Sequence, residues 1–546
     1  MEERNISLQE GVLKDCFEKV RRNFYERIDA QKHARVYEGV HDRPYAEPEF
    51  TGKFLDLCAY YYEREKDPRA LEKGMAVIRS IRENQRADGY LGCLEASNEL
   101  VAFSVWNHGF TLYGITRMYE ATKDPEVLES AQKAADWLLR VYENLRDPDI
   151  LQASNCGSQN ISCLYAIGRL YKATGEERYL KFIERVLNYC ETTDMNLLSF
   201  NSIFELRSQK GIEMLVIYLG VLQYGMLTEN RMAVDAARRY WQEIRDTQIR
   251  NTGNGTVEEK WTPDGNAARL MPTEEKPNET CVAVGWVELS LALFHADPRA
   301  NYLDAVERTL FNHMIGSLEK NGEDFAYYQG NFGKKVYRTD DGAYQCCRYR
   351  GFTLFTYLKE YLYHYENGCL TPLVYCSSSF SQDGLTVKQV TDYPCDGLIR
   401  FFAENRGDVP LTLRLRVPEW CDLFTVQKDG VALSLIPEDG FLTVELGVGN
   451  SEIFYHLKMT LKAQRHVIDG KLYLSFGYGP LLLAHDTHYG GELWTPVSAD
   501  AGASRMDPKG TSLVQFLYDG IRLVDFASAG GNCPSEDDYT VFIPEK

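Results

Sequence analysis

The stretch Met118-Tyr-Glu-Ala-Thr-Lys-Asp-Pro-Glu-Val-Leu128 decides the fold, because weaker copies of it recur through the first two-thirds of the chain. The copies begin at Tyr61, Leu170 and Leu293. Each has an apolar helix end, a short turn with Asp, Pro or Gly, and a second amphipathic helix such as residues 128–142. Proline and glycine end one helix, and an acidic residue near the turn favours the start of the next. The repeat therefore predicts a series of helical hairpins.

The spacing of the copies predicts how the hairpins are arranged. Copies lie on the order of 50 to 70 residues apart, or one hairpin per unit, and about six hairpins fit before residue 365. Open superhelical arrays have shorter and more uniform repeats, whereas this chain has long, variable loops. We therefore predict a closed (α/α)6 toroid, residues 1–365, as the catalytic domain. In such a toroid the active site lies in the funnel that the loops form.

A different periodicity begins near Asn367. Apolar and polar residues alternate in Leu411-Thr-Leu-Arg-Leu-Arg-Val417 and Phe441-Leu-Thr-Val-Glu-Leu446, and turns such as Lys428-Asp-Gly430 separate these segments. Alternation with a period of two is typical of half-buried strands. The pattern predicts an antiparallel β-sandwich over residues 366–546, so the expected fold class is mainly α plus β.

The composition is that of a globular protein, and it limits the classes of partner that we expect. Of 546 residues, 44% are apolar and 25% charged, and the formal charge is −19. Nucleic acid requires a basic patch, so we expect no nucleic-acid partner. The chain does not start with a signal-peptide pattern, and no apolar run approaches the length of a membrane span. We therefore expect no membrane partner and a cytoplasmic protein.

Most of the 14 cysteines are expected to be buried thiols. They are scattered rather than spaced as a disulfide framework, and a reducing compartment would keep them as thiols. Cys16, Cys58, Cys163 and Cys190 lie in apolar helical patterns, which places them in the predicted core.

Two other cysteine clusters have the composition of a metal site. Glu279-Thr-Cys281 stands just before a predicted apolar helix at 282–295, and Cys346-Cys347 stands before another at 352–363. The N–H groups and the dipole at a helix N-terminus favour thiolates. Three thiolates and a carboxylate make a tetrahedral zinc set if the two loops converge. The alternative is that Cys346 and Cys347 are neighbours by chance and bind no metal. The paired spacing of zinc ribbons is absent from the sequence.

Several stretches, these clusters among them, resemble glycoside hydrolase family 127, the β-L-arabinofuranosidase family, in a divergent form. The most specific match is Asn278-Glu-Thr-Cys-Val-Ala-Val-Gly285 followed by Cys346-Cys347. The other matches are Gln85-Arg-Ala-Asp-Gly-Tyr-Leu91, Val306-Glu-Arg-Thr-Leu-Phe-Asn312, Phe325-Ala-Tyr-Tyr328, the run from Leu413 to Trp420, and Gly477-Tyr-Gly-Pro-Leu481.

The resemblance implies a retaining glycosidase with a cysteine nucleophile, an exception to the usual pair of carboxylates. Carried over to this chain, Cys346 is the nucleophile, and Glu279, Cys281, Cys346 and Cys347 bind Zn²⁺. A free thiol is mostly protonated at neutral pH and zinc deprotonates it, which gives this arrangement a physical reason. The thiolate would attack the anomeric carbon, and water would then release the sugar with retained configuration.

The implied general acid lies in Val257-Glu-Glu-Lys-Trp261. It must protonate the departing oxygen and then act as a base toward water. The resemblance favours Glu259, with Glu258 as the second candidate. The alternative is that both are solvated loop carboxylates.

Further side chains match family positions near the sugar. His108, in Trp106-Asn-His-Gly-Phe110, opens a predicted helix, although a lone histidine is as often a structural hydrogen-bonder. Tyr327, Tyr328 and Glu307 lie in matching segments. Glu307 could instead orient its neighbours, and either tyrosine could belong to the core.

The sequence departs from the family after the paired cysteines. Relatives often continue with prolines and an asparagine, whereas this chain has Arg348-Tyr-Arg-Gly351. Expected histidines are absent from two other sugar-facing regions, which read Ser158-Gln-Asn160 and Ser208-Gln-Lys210. We hypothesise that Arg348 or Arg350 contacts an anionic or heavily hydroxylated substrate. They could instead offset the formal −2 charge of three thiolates, one carboxylate and Zn²⁺.

These observations predict a retaining exo-glycosidase that releases terminal β-L-arabinofuranose, or a related sugar that could be acidic, from an oligosaccharide or glycoside. A toroid-fold epimerase or lyase is one alternative, which would need histidine or tyrosine bases and no thiolate metal. A carbohydrate-binding protein with structural zinc is the other. A homodimer through a sandwich edge is left open.

Overall fold

The protein has a helical part followed by a β-rich part in this computed structural model. The structure describes residues 4–39, 47–92, 94, 99–100, 103–143, 154–263, 276–335, 346–530 and 538–546. The helices are α1 (Val12–Glu26), α2 (Ala30–Arg35), α3 (Glu47–Glu65), α4 (Pro68–Asn84), α5 (Ser104–Thr122), α6 (Pro125–Val141), α7 (Ser158–Ile161), α8 (Leu164–Thr174), α9 (Glu177–Cys190), α10 (Gly211–Thr228), α11 (Arg231–Thr247), α12 (Thr280–Ala296), α13 (Ala300–Arg308), α14 (Ile315–Ser317) and α15 (Cys346–Thr356).

The Asp and Pro residues of the repeated turns explain why a new helix begins after each turn. Between α3 and α4, the Asp67 carboxylate accepts a hydrogen bond from the Arg69 N–H. Pro68 takes the first helical position, where the missing N–H has no intrahelical partner to lose. Asp124 and Pro125 repeat this arrangement between α5 and α6. These caps fix where the second helix of each pair begins.

Six helices form a closed inner ring. In the order α3, α5, α8, α10, α12 and α15, each packs against the next, and α15 packs back on α3. Their outer partners, in the same order, are α4, α6, α9, α11, α13 and α1. The predicted (α/α)6 toroid is therefore confirmed.

The composition of α10 follows from its place in the inner ring. Every residue from Gly211 to Gly225 is buried. Among the described residues, α10 is the helix long and apolar enough to cross a membrane, yet 83% of that stretch is buried inside the protein. A helix that is hydrophobic all round lies in a core or in a membrane, and the ring supplies the core.

The described residues of the β-rich part form three sheets. The strands are β1 (Asn5–Leu8), β2 (Phe332–Gly333), β3 (Tyr363–Glu366), β4 (Cys369–Pro372), β5 (Ser378–Gln382), β6 (Leu385–Thr391), β7 (Leu398–Asn405), β8 (Leu411–Arg416), β9 (Phe424–Lys428), β10 (Val431–Leu433), β11 (Phe441–Leu446), β12 (Gly449–Leu457), β13 (Leu461–Ile468), β14 (Lys471–Tyr478), β15 (Leu481–Asp486), β16 (Ala503–Met506), β17 (Gln515–Tyr518), β18 (Ile521–Asp525), β19 (Tyr539–Thr540) and β20 (Ile543–Pro544). The first sheet has the order β1-β5-β6-β7-β12-β9-β10, and the second has the order β11-β8-β4-β3. The third runs β13-β14-β15-β18-β17-β16, with β19 and β20 paired to β15 and β14.

The first two sheets face each other. The ring of Tyr363 on β3 lies 5.6 Å from the ring of Phe380 on β5, and the Tyr363 hydroxyl lies 2.8 Å from the Ser378 Oγ. Pairing within these sheets is antiparallel except between β4 and β8, which are parallel. The predicted β-sandwich is present, with a third sheet after it.

The third sheet also reaches the helical part. β2 pairs with β19, with Phe332 opposite Thr540. The Tyr539 hydroxyl donates to the Gly330 carbonyl at 2.7 Å, and the Val541 N–H donates to the Asn331 carbonyl at 2.7 Å. The chain just after the Tyr327-Tyr328 segment is therefore clamped by residues near position 540.

Two predicted helix starts are wrong, one by two residues and the other by six. α12 begins at Thr280 rather than at residue 282. α15 begins at Cys346 rather than at residue 352, and a strand already begins at Tyr363. The buried Arg350 interrupts the apolar pattern of this helix, because an arginine is normally expected at a surface position. The predicted division between residues 365 and 366 falls inside β3 and stays a prediction.

Candidate metal and catalytic site

The two cysteine clusters meet because their helices are neighbours in the inner ring. Glu279 is the N-cap of α12 and Cys281 lies in its first turn, while Cys346 and Cys347 open α15. Taking one ligand atom from each of these four side chains, all four atoms lie within 4.8 Å of one another. The convergence that the zinc hypothesis requires is therefore present.

Hydrogen bonds hold Glu279 in place. The Asn254 amide donates to the Glu279 carbonyl at 2.7 Å, and the Thr256 hydroxyl accepts from the Glu279 N–H at 3.3 Å. The Thr280 N–H donates to the Tyr327 carbonyl at 3.0 Å. The start of α12 and the segment that carries Tyr327 are thus joined through their backbones.

The four side chains have the chemistry of a zinc site. Zinc takes thiolate sulfur and carboxylate oxygen in four-coordinate sites, whose ligand atoms lie about 3 to 4 Å apart. Glu279 Oε2 is buried, and within the described part of the chain no donor bonds to it. A buried carboxylate oxygen without a donor is destabilising, and a cation would relieve this. The donor set therefore fits zinc.

Hydrogen bonds and a nearby positive charge favour a thiolate at Cys346. The Cys281 and Cys347 thiols beside it lower the pKa of Cys346 well below its usual value, and the Lys53 ammonium adds to this, although burial opposes it. Burial raises the pKa of Cys281 and Cys347 well above the usual value. Burial, followed by the Glu259 charge, likewise raises the pKa of Glu279. Cys346 is thus the sulfur that ionises first.

Exposure also separates Cys346 from the other three side chains. Cys281 and Glu279 are each 2% exposed, and Cys347 is 1% exposed. Cys346 is half-buried. Of the three sulfurs, Cys346 is therefore the one that a substrate can reach.

A tight turn carries the two candidate carboxylates. Val257 and Lys260 exchange both backbone hydrogen bonds, at 3.0 and 2.9 Å, so Glu258 and Glu259 are the two central residues of a hairpin turn. Their φ angles of 47° and 65° are those of a type I′ turn, which usually contains asparagine or glycine. Holding two glutamates in this conformation is strained. The turn sends the two side chains in different directions, with Glu258 exposed and Glu259 half-buried.

Glu259 is the carboxylate that faces the cysteines. The Tyr327 hydroxyl donates to Glu259 Oε1 at 3.0 Å, and the same hydroxyl lies 3.4 Å from Cys346 Sγ. The Tyr328 hydroxyl also donates to Oε1, and the Lys210 ammonium donates to Oε2. Tyr327, Tyr328 and Glu259 therefore lie together at the thiolate cluster. Glu258 is instead contacted by the Lys276 N–H at 3.4 Å.

Two family descriptions match the chain. "Beta-L-arabinofuranosidase, GH127 catalytic domain" matches residues 3–360, which is more than half of the chain. The chain belongs to glycoside hydrolase family 127. The GH127 middle domain matches residues 373–459. The predicted family and the predicted enzyme class are confirmed, and the protein is a glycoside hydrolase.

Relatives of this family 127 hydrolase match over most of its length. The non-reducing end β-L-arabinofuranosidase of Bifidobacterium longum subsp. longum is 24% identical over 556 residues, covering 90% of this chain and 83% of the relative. A solved GH127 β-L-arabinofuranosidase from Geobacillus stearothermophilus T6 has a TM-score of 0.81 at 18% identity, covering 99% of this chain and 100% of that chain. Another solved GH127 β-arabinofuranosidase has a TM-score of 0.79 at 19% identity, covering 99% and 96%. At these identities the solved structures show a shared fold.

Two candidate residues of the hydrolase lie in structural settings instead of the cluster. Both ring nitrogens of His108 face backbone, with the Leu91 N–H at 3.3 Å and the Ala134 carbonyl at 2.9 Å. Burial lowers the pKa of His108 to about 4, so the ring is neutral. Glu307 is buried against the β-sandwich, where it pairs with Arg416 at 2.5 Å. Backbone and ion-pair partners take the polar atoms of both residues, and a sugar contact of either one stays a prediction.

The two arginines of the hydrolase contact other side chains. Arg350 is buried and pairs with Glu288 at 2.5 Å, beside a cavity of about 50 Å³ inside the ring. The Arg348 guanidinium lies 5.7 Å from the centre of the Phe352 ring. The ion pair with Glu288 takes one side of the Arg350 guanidinium, and a substrate contact of Arg350 stays a prediction. The charge of Arg350 also acts on the Cys281 sulfur. This is consistent with a role of Arg350 in offsetting the negative charge of the cluster.

Sequence reasoning missed two lysines of the hydrolase site. Lys210 stood in a segment noted only for its lack of histidine, and its contact with Glu259 joins residues 49 positions apart. Lys53 forms a buried ion pair with Glu49 on α3 and faces Cys346. A charged pair four residues apart in a helix that is otherwise buried is a signal that could have identified Lys53.

Proposed function

We propose that this hydrolase is a retaining exo-glycosidase that releases a terminal β-L-arabinofuranose or a closely related sugar. Cys346 is the nucleophile and Glu259 is the acid and base. One observation carries this proposal: the Tyr327 hydroxyl lies 3.4 Å from Cys346 Sγ and 3.0 Å from Glu259 Oε1. The two reacting groups are therefore no farther apart than the sum of these distances. This admits the separation of about 5 to 5.5 Å that retaining glycosidases use.

In the first step the Cys346 thiolate attacks the anomeric carbon of the terminal sugar. The bond to the leaving oxygen breaks as Glu259 gives that oxygen a proton. The product on the protein is a glycosyl thioether at Cys346. The half-buried position of Cys346 and its lowered pKa both support this role.

In the second step Glu259 acts as a base. Its carboxylate takes a proton from water, the water oxygen bonds to the anomeric carbon, and the carbon–sulfur bond breaks to restore the thiolate. Two displacements at one carbon retain its configuration. Tyr327 and Tyr328 hold Oε1 throughout, because both hydroxyls donate to it.

Glu279, Cys281, Cys346 and Cys347 would hold zinc, which keeps bound thiols ionised at neutral pH. The partnerless Oε2 of Glu279 and the three converging sulfurs support this assignment. The name of the Bifidobacterium longum relative, a non-reducing end β-L-arabinofuranosidase, supports the terminal position and the sugar.

A panel of 4-nitrophenyl glycosides tests the substrate. We expect hydrolysis of the β-L-arabinofuranoside and little or none of the α-L-arabinofuranoside or the hexopyranosides. A uronide in the panel tests the related, acidic sugar. Equal activity toward an unrelated hexopyranoside would contradict the assigned sugar.

Labelling with a cyclophellitol-type electrophile, followed by peptide mapping, tests the nucleophile. We expect the adduct on Cys346 and its loss in Cys346→Ser. An adduct on any other residue would overturn the assignment.

The two neighbouring glutamates provide a matched pair for the acid. Glu259→Gln should lower kcat/KM by about 10²- to 10⁴-fold on a substrate with a poor leaving group, the usual contribution of a positioned acid. Glu258→Gln changes the same chemical group on the same turn, one residue away and pointing to solvent, and should stay near the parent value. The reverse result would transfer the role to Glu258.

A further inference from the structure

Lys210 lies against the proposed acid and base. Its ammonium donates to Glu259 Oε2, while the hydroxyls of Tyr327 and Tyr328 donate to Oε1. The Lys210 and Glu259 side chains are 16% and 18% exposed, so the contact is partly open to solvent rather than deep in the core. The carboxylate is thus held at both of its oxygens.

The backbone presents these two residues to each other. The Gly211 N–H donates to the Glu259 carbonyl at 2.8 Å, and the Trp261 N–H donates to the Gln209 carbonyl at 3.0 Å. Lys210 and Lys260 form a β-bridge between these two bonds. Residues 209–211 therefore run beside the tight turn as a short strand, and the lysine follows any shift of the turn.

A permanent positive charge occupies this position. Burial alone lowers the pKa of Lys210, but the carboxylates of Glu279 and Glu259 together raise it above its ordinary value. The ammonium faces both carboxylates, one in the thiolate cluster and one on the turn. The charge that would otherwise drive Glu259 away from Glu279 and Cys346 is offset by Lys210.

We propose that Lys210 is a positioning residue for Glu259, and that it matters chiefly for glycosides whose leaving group must be protonated. This inference rests on the proposed function, in which Glu259 protonates the departing oxygen. A carboxyl group held only at Oε1 can turn its other oxygen away from the substrate. An alkoxide needs the proton to leave, whereas a nitrophenolate leaves without it. Loss of Lys210 therefore harms one class of substrate selectively.

Leaving-group dependence tests the proposal. We compare kcat/KM for the 4-nitrophenyl and the methyl β-L-arabinofuranoside in the parent, Lys210→Met, Glu259→Gln and the double variant. Lys210→Met should lose about 10- to 100-fold on the methyl glycoside and less than about threefold on the nitrophenyl glycoside. Lys210→Arg keeps the charge and should recover part of the loss. In the Glu259→Gln background, Lys210→Met should add less than about twofold, because the group it positions is gone.

Lys260→Met is the matched control, since Lys260 is exposed on the same hairpin and should leave both substrates unaffected. Lys210→Gln, which keeps a donor, replaces Lys210→Met if that variant unfolds in a thermal melt. Equal losses on both glycosides, or a loss that adds fully to that of Glu259→Gln, would overturn the positioning role. If Glu259→Gln itself shows no leaving-group dependence, the proposed acid fails. If it shows the dependence and Lys210→Met does not, only the present inference fails.

Discussion

The Tyr327 hydroxyl oxygen lies 3.4 Å from the sulfur of Cys346, and the same hydroxyl donates to Glu259 at 3.0 Å. One side chain therefore touches both the proposed nucleophile and the proposed acid. It reaches them from a segment whose backbone is bonded to the first residue of α12. Substitution of Tyr327 therefore tests how the two groups depend on each other.

Tyr327→Phe should lower kcat/KM by about 10- to 100-fold, because a hydrogen bond to a charged group contributes roughly 1.5 to 3 kcal/mol. Steady-state kinetics on the preferred glycoside measure the effect. Tyr363→Phe is the control, because it removes a buried hydroxyl bonded to Ser378 at 2.8 Å in the β-sandwich. A loss of activity as large in Tyr363→Phe would mean that stability, not contact with the site, explains the result.

The proposed metal site predicts one zinc ion per chain. Cys281→Ser should bind less than about a tenth of the parent's zinc, because a thiolate ligand is lost from a four-ligand set. Elemental analysis of the purified protein measures this directly. Removing zinc from the parent with a chelator should also lower Tm, because a ligand that binds only the folded state stabilises it. Cys376→Ser changes a buried thiol in the sandwich and should keep full zinc. Full zinc in Cys281→Ser would contradict the ligand set.

The buried His108 predicts that stability falls in mild acid. Burial lowers its pKa to about 4 in the folded state, against about 6.5 in the unfolded chain. Between these values the unfolded chain binds the extra proton, so stability is full above pH 6.5 and is lost as pH falls toward 4. The loss between pH 7 and pH 5 from this residue is about 2 kcal/mol.

Urea unfolding at pH 7 and pH 5 measures this loss. His108→Gln should reduce the difference between the two pH values, whatever its effect on absolute stability. His456→Gln, at an exposed position of β12, should not reduce it. An unchanged difference in His108→Gln would show that other groups set the acid sensitivity.

Glu307 is predicted to stabilise the contact between α13 and the sandwich. Its carboxylate accepts from Arg416 at 2.5 Å, from the Tyr393 hydroxyl at 2.6 Å and from the Trp420 indole N–H at 3.0 Å. Glu307→Gln leaves a buried arginine short of one partner and should lower the free energy of unfolding by about 3 kcal/mol. Glu419→Gln breaks an exposed pair and should lower it by less than about 1 kcal/mol. A raised KM in Glu307→Gln with unchanged stability would restore the sugar-binding role instead.

The toroid could be predicted from sequence because its signals are local. Asp67 and Asp124 each accept a hydrogen bond from the N–H two residues later, so one short stretch of sequence is enough to predict each hairpin. The candidate metal ligands could be named only through the family resemblance, since Glu279 and Cys347 are 68 positions apart and meet only because α12 and α15 are neighbours in the ring. Spacing alone could not show that neighbourhood.

The side-chain contacts that the sequence did not predict have a common physical origin. His108 matched a sugar-facing position, yet its ring is held by backbone groups of Leu91 and Ala134, 17 and 26 positions away. The contact between Lys210 and Glu259 likewise depends on which turn lies beside which strand. Side-chain partners of this kind are set by how elements pack, and a residue's type does not reveal them.

The clamp between β2 and β19 has a consequence for the order in which the protein matures. Gly330, two residues after Tyr328, receives its bond from Tyr539, 209 positions later in the chain. A ribosome adds about 5 to 20 residues per second, and domains near the N-terminus fold first. The ring of helices can therefore close while the rim beside Tyr327 and Tyr328 still lacks a partner. A nascent chain paused before residue 539 would have the shape of the enzyme without its finished rim.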